Sequence, residues 1–224
     1  MERGIFITGT GTDVGKTYVT ALLVKKLKEL GISVGYYKGA ISGADCIASS
    51  DAGYVKKVAG LEQDENTLVS YLYQNAVSPH LAAKLEGNPV ELKKVKEDFQ
   101  KVSKQYEFVV MEGSGGIVCP IRYDETEHIF LEDFIKTLNL HTLLIADAGL
   151  GTINAVVLTV QYLRQKGIGI QGIFINRYTG NPMEEDNVKM IEELTGIPIL
   201  ALISTNANEL LLKEGAIQKI LQDN

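Results

Sequence analysis

No stretch constrains this chain more than Gly9-Thr10-Gly11-Thr12-Asp13-Val14-Gly15-Lys16-Thr17. It follows a short apolar run and leads into residues with apolar side chains at helical spacing. That order of strand, glycine loop and helix is what a phosphate-cradling loop requires. The chemistry follows from position. Loop and helix N–H groups, with the helix dipole behind them, face a polyphosphate, Lys16 adds a point charge, and the Thr17 hydroxyl reaches a metal. The stretch predicts binding of a nucleoside triphosphate with magnesium. Counted from Gly9, the loop is one residue longer than the strict pattern, which wants glycine where Thr10 stands.

The rest of the chain supplies a scaffold for such a loop. Residues 4–8, 33–37, 108–111, 142–146, 172–175 and 197–203 are short apolar runs without in/out alternation, as strands buried on both faces of a parallel sheet must be. Between them, Val19, Leu22, Leu23, Leu27 and Leu30 repeat at helical spacing, as do Leu92, Val95, Phe99 and Val102, and Ile153, Val156, Val157, Val160 and Leu163. Gly31, Gly167 and Gly196 fall just past helical segments, where a left-handed cap suits glycine. The expected fold is α/β: a doubly wound, mostly parallel sheet with helices on both faces, P-loop NTPase-like, in one domain over residues 1–224. Residues 43–77 are the least regular part. Ser49-Ser50-Asp51 can cap a short helix through Val58, and the polar run at 62–66 predicts a long surface connection.

Composition narrows the partners. With 28 acidic against 22 basic side chains, the chain lacks the basic excess of a nucleic-acid binder. No apolar run approaches the roughly 20 residues that cross a bilayer, and no signal peptide opens the sequence, so a cytoplasmic protein is expected. Cys46 and Cys119 show no Cys-x-x-Cys spacing and read as reduced thiols.

Three charged residues outside the loop draw notice. Glu112 ends the strand at 108–111 and opens the loop Gly113-Ser114-Gly115-Gly116, so its carboxylate emerges at the edge where a phosphate-bound magnesium needs oxygen ligands. Asp51 is either a first-turn helix acid or a second ligand. Lys38, taken as the end of the second strand, is either a solvated lysine or an active-site cation beside Lys16. His80, in Ser78-Pro79-His80, reads as packing or capping a helix that opens near Leu81, and Tyr71 and Tyr73 read as sharing one side of a strand.

Taken in order, Thr8-Gly9-Thr10 through Lys16-Thr17, Tyr37-Lys38, Ser42-Gly43, Ser50-Asp51, Ser78-Pro79-His80, Glu112-Gly113-Ser114-Gly115-Gly116 and Leu150-Gly151-Thr152-Ile153-Asn154 resemble the motif series of the dethiobiotin synthetase family over nearly the whole chain. That family uses 7,8-diaminononanoate, CO2 and MgATP to close a ureido ring, as a homodimer. The resemblance implies ATP contacts from Thr12, Asp13, Val14, Gly15, Lys16, Thr17, Tyr18, Asp51, Glu112, Gly113, Ser114 and Gly115. On the adenine side it implies Asn176, Arg177 and the segment Ser204, Thr205, Asn206. Thr17, Asp51 and Glu112 would surround Mg2+, and Lys38 and Lys16 would be the catalytic cations. Ser42 would meet the diamine end, while Gly151, Thr152 and Asn154 would hold the substrate carboxylate across the dimer interface.

Departures from the family pattern are Gly39 in place of a usual proline, Ser114 in place of alanine, and no proline near Ser204-Thr205-Asn206, which leaves base selectivity open. The rival reading is a partitioning or septum-positioning switch ATPase that binds a protein or membrane. Those share a signature lysine where this chain has Thr10, and the segment 209–221 carries only Lys213 and Lys219 as basic residues, few for a membrane anchor.

Overall fold

The computed structural model describes residues 3–222. The chain runs β1 (Gly4–Gly9), α1 (Lys16–Glu29), β2 (Val34–Ser42), α2 (Asp51–Ala59), β3 (Val69–Tyr73), α3 (Pro79–Leu85) and α4 (Leu92–Ser103). It continues through β4 (Phe108–Glu112), the short strands β5 (Pro120–Tyr123) and β6 (His128–Phe130), and α5 (Leu131–Leu138). It ends with β7 (His141–Asp147), α6 (Thr152–Gln165), β8 (Ile170–Asn176), α7 (Pro182–Thr195), β9 (Ile199–Ile203) and α8 (Ala216–Ile220). Seven strands form one parallel sheet in the order β3-β2-β4-β1-β7-β8-β9, and β5 and β6 pair as a separate antiparallel hairpin.

Helices cover both faces, as expected from strands without alternation. Val19, Leu23 and Leu27 of α1, Val55 of α2 and Ile220 of α8 pack on one face against Ile5, Ile7, Leu143 and Ile145. On the other, Val95, Phe99 and Val102 of α4 and Phe134 and Ile135 of α5 cover Phe6, Val109 and Met111. There too, α6 and α7 cover Leu144, Ile173 and Ile175. The helix after β1 therefore leaves on one face while α5 enters β7 on the other. Ligand crevices form at the carboxyl ends of strands where such crossovers part.

Two sequence expectations need correction. The stretch 43–77 is not mainly a surface connection. It holds α2 through Ala59, close to the expected helix, but also β3, which closes one edge of the sheet. The polar run includes Gln63, only 1% exposed. Its amide accepts from the Tyr36 N–H at 2.8 Å and donates to the Tyr36 carbonyl at 2.9 Å, filling a strand's place beside β2.

The second correction concerns β2, which runs on to Ser42, so Lys38 lies inside the strand. Gly39 breaks the apolar run yet marks a close approach, as a strand glycine often does. A Cβ there would lie 2.5 Å from Phe134 Cε2. The proline usual in the family would meet the same ring, so this departure is matched by the packing of α5. Gly39→Ala should destabilise the protein by about 1–3 kcal/mol through overpacking, read as a lower urea midpoint at unchanged slope. An unchanged midpoint would show that Phe134 moves aside freely.

Tyr71 and Tyr73 do share one side of β3, with rings stacked 6.2 Å apart. Both cysteines are free thiols. The helix near Leu81 opens at Pro79, and the half-buried His80 leaves Nδ1 without a partner.

Candidate active site

At the carboxyl edge of β1 the chain turns through the glycine loop into α1. Asp13 (φ 60°) and Gly15 (φ 88°) take left-handed backbone, and at Gly15 a Cβ would sit 2.2 Å from Asn176 Nδ2, so only glycine fits. Three loop carbonyls are held by side chains. Asn176 Nδ2 donates to Val14 O at 2.9 Å, Arg177 to Asp13 O at 2.6 Å, and Lys16 Nζ to Gly11 O at 2.8 Å. Arg177 is itself tied to Asp147 at 2.6 Å.

The start of α1 has neither a side-chain cap nor an acid in its first turn. By contrast, α2 and α7 are capped by Ser50 and Asn181. The first-turn N–H groups of a helix have no intrahelical acceptor, and here they sit beside Lys16 with the dipole uncompensated. An anion is what this geometry suits.

The loop borders a cleft of about 1020 Å3. Thr12, Asp13, Gly15, Lys16, Thr17, Tyr18, Lys38, Ser42, Asp51, Glu112, Ser114, Gly115 and Arg177 line it, joined by Tyr54, Cys119, Val77, Ser78 and Pro79. Ser42 donates to Val77 O at 2.6 Å and Ser114 to Ala40 O at 2.9 Å, tying the cleft's walls to β2.

The charged centre of the cleft follows from register. In the parallel pair β2 and β4, Lys38 lies directly beside Glu112. Lys38 Nζ donates to Glu112 Oε1 at 2.8 Å and to Asp51 Oδ2 at 2.6 Å, and Thr17 Oγ1 donates to the same Glu112 Oε1 at 2.7 Å. Asp51 is the first residue of α2, behind its Ser50 cap, as its helix reading expects, and its carboxylate also pairs with Lys38. Lys38 and Glu112 are 4% and 1% exposed.

Burial works to lower the Lys38 pKa, but Glu112 and Asp51 outweigh it and hold the ammonium above its usual range. Burial likewise opposes ionisation of Asp51, and Lys38 beside it wins, keeping the carboxyl below its usual range. Lys16 shifts down, chiefly through burial. The Cys119 thiol is pushed up to about 11 by burial and stays protonated.

Other expected site residues stand around the cleft without lining it. Gly113 donates its N–H to Ile7 O at 2.9 Å behind the Glu112 carboxylate. Ser204, Thr205 and Asn206 are exposed just after β9. The adjoining loop is tethered to α1, because Tyr18 OH donates to Ala207 O at 2.6 Å and Lys25 Nζ to Asn208 O at 3.2 Å. The Asn176 Oδ1 is buried without a partner. Gly151 caps α6, Thr152 is buried, and Asn154 is exposed, beside Leu150 at 91% exposure. Within one chain these last residues lie outside the cleft.

With this geometry in view, the comparisons with known proteins are decisive. A family model described as an AAA domain matches residues 3–208. The ATP-dependent dethiobiotin synthetase of Brachyspira hyodysenteriae is 52% identical over 204 residues, covering 91% of this chain and 92% of that protein. This chain belongs to the dethiobiotin synthetase family. The synthetase of Clostridium botulinum (strain Loch Maree / Type A3) is 47% identical over 213 residues, covering 93% of each chain.

Among solved structures, the MinC:MinD cell division protein complex of Aquifex aeolicus aligns with TM-score 0.58 at 15% identity, covering 97% of this chain and 85% of that one. The signal recognition particle receptor FtsY of Elizabethkingia anophelis aligns with TM-score 0.59 at 15% identity, covering 99% of this chain and 66% of that one. Those likenesses carry the P-loop NTPase-like fold alone.

Two residues of this centre escaped the sequence reading. Tyr36 donates its phenol to Glu112 Oε2 at 3.1 Å, and Gln63 clamps the Tyr36 backbone. The signal for Tyr36 was its place two residues before Lys38, hence on the same strand face. Nothing local marked Gln63.

Proposed function

We propose that this chain closes the ureido ring of dethiobiotin from 7,8-diaminononanoate, CO2 and MgATP, working as one cytoplasmic domain paired in a homodimer. What carries the reading is Lys38, buried between Asp51 and Glu112 beside the phosphate loop, in a chain of this family. Among the described residues no helix is long and apolar enough to cross a membrane.

The donor set suits magnesium. Two carboxylates meet at the Lys38 ammonium, and the Thr17 hydroxyl donates to the Glu112 oxygen that Lys38 also reaches. No cluster of three or more His, Cys, Asp or Glu among the described residues could hold a metal alone. That is the situation of Mg2+, which takes one or two carboxylates and completes its shell with phosphate oxygens and water. Thr17, Asp51 and Glu112 would hold it, and the bound ion would cancel charge on the β- and γ-phosphates.

One amine of the diamine captures CO2 as a carbamate. Its oxygen attacks the γ-phosphorus to give a carbamic-phosphoric anhydride and ADP. The second amine attacks the carbonyl carbon, closing the ring and releasing phosphate. No step needs a protein nucleophile, so the chain's work is positioning and charge cancellation. Lys16 and the loop amides hold the phosphates, with Thr12 to Tyr18 and Gly113 to Gly115 around them. Lys38 faces the carbamate and the transferring phosphoryl group. Ser42 meets the diamine end, and Gly151, Thr152 and Asn154 of the second subunit take the substrate carboxylate at a helix start. Asn176, whose buried Oδ1 lacks a partner, reads the adenine with Arg177 and Ser204-Thr205-Asn206.

The test is phosphate release measured with and without substrate. Release that requires both the diamine and bicarbonate supports the synthetase. Basal hydrolysis that ignores the diamine and is stimulated by a protein or lipid vesicles overturns it in favour of a switch ATPase.

A further inference from the structure

The Glu112 carboxylate carries three hydrogen bonds, divided unevenly between its oxygens. Oε1 accepts from Thr17 and Lys38, both lining the cleft. Oε2 accepts from Tyr36 alone, at 3.1 Å, and Tyr36 does not line the cleft. Tyr36 is fully buried, and its backbone N–H and carbonyl are both bonded by the Gln63 amide, so the strand that carries the phenol is fixed and the ring is packed in the core. A phenol hydroxyl carries its proton at neutral pH and so faces the carboxylate as a donor.

We infer that Tyr36 is a positioning residue that makes Glu112 a one-oxygen ligand and thereby selects magnesium over calcium. The inference rests on the reading of Glu112 as part of the metal site. With Oε2 occupied by the phenol, only Oε1 is offered to a cation. Mg2+ demands compact octahedral geometry and takes carboxylates through one oxygen, whereas Ca2+ accepts six to eight oxygens and readily takes both from a carboxylate. Hydrogen bonds to the outer oxygen of a ligand fix its orientation, and losing one typically costs about 10- to 100-fold in metal affinity.

Tyr36→Phe deletes one hydroxyl and keeps the ring that fills the core. The full-length protein, saturated with a nonhydrolysable ATP analogue, is titrated with Mg2+ and with Ca2+ by calorimetry. In the wild type, Mg2+ should bind at least about tenfold more tightly than Ca2+. In the variant, Mg2+ affinity should fall about tenfold while Ca2+ affinity holds or rises, with affinity for the metal-free analogue unchanged.

A ratio of the two affinities within twofold of wild type in a variant that still binds the analogue overturns the inference. So does a wild type that binds both ions equally, which decides the matter even if the variant does not fold. Glu112→Gln separates the two levels of the argument. If it leaves Mg2+ affinity intact, the metal-site reading itself fails. If it lowers Mg2+ affinity while Tyr36→Phe leaves the ratio alone, the failure belongs to Tyr36.

Discussion

Lys38→Ala should lower the rate of ring closure by about 10² to 10³, the usual cost of losing one preorganised charge donor at a developing anion, while affinity for MgATP stays within a few-fold of wild type. The split follows from position. In the proposed arrangement the phosphates fall to the loop, the start of α1 and Lys16, none of which is hydrogen-bonded to Lys38, whose hydrogen bonds go to Asp51 and Glu112. Removing it also leaves two carboxylates to share less positive charge, which favours divalent cation binding. The loss should therefore appear in the chemical step and not in nucleotide capture. A single-turnover assay with radiolabelled bicarbonate, run beside nucleotide titration, measures both. Near-normal turnover in Lys38→Ala would refute its assignment, and a matching collapse of nucleotide affinity would move its role to the phosphate loop.

Much of this centre could be read from the sequence because its parts sit at punctuated positions. A glycine loop between strand and helix, and an acid opening a glycine run, are local patterns with physical causes. The central strands were legible for a similar reason, since burial on both faces removes polar alternation. What stayed hidden depends on partners distant in sequence. In the sequence Lys38 reads as a strand end because Gly39 looks like a break, and only the Phe134 ring packed against it reveals a strand that continues. Tyr36 is one apolar residue among many in β2 until its phenol is seen on Glu112. Gln63 sits in a run of polar residues that resembles a solvated loop, and its burial comes from the backbone of β2, which a sequence pattern does not display. The edge strand β3 is only partly buried, so it lacks the continuous apolar signature of the centre.

The same cluster predicts a large effect on stability, opposite in logic to its effect on rate. Glu112→Ala removes the acceptor of three donors at once and leaves the buried Lys38 ammonium with only Asp51, whose side chain is 47% exposed. Breaking a buried ion pair from one side costs about 3–5 kcal/mol, because the remaining charge is stranded. For a chain of this size that corresponds to a fall of roughly 6–20 °C in Tm.

A pair removed from both sides strands no fully buried charge, since the remaining Asp51 carboxylate is 47% exposed and reaches water, so Lys38→Met combined with Glu112→Gln should recover at least half of the stability lost in Glu112→Gln alone while remaining inactive. Thermal unfolding of Lys38→Met, Glu112→Gln and the double variant closes the cycle, and the coupling should exceed about 1 kcal/mol. Additive losses would mean that Lys38 and Glu112 do not lean on each other in the unliganded protein. Strong coupling would instead mean that the ammonium and the carboxylates hold one another in the unliganded protein, at the spot proposed to receive Mg2+.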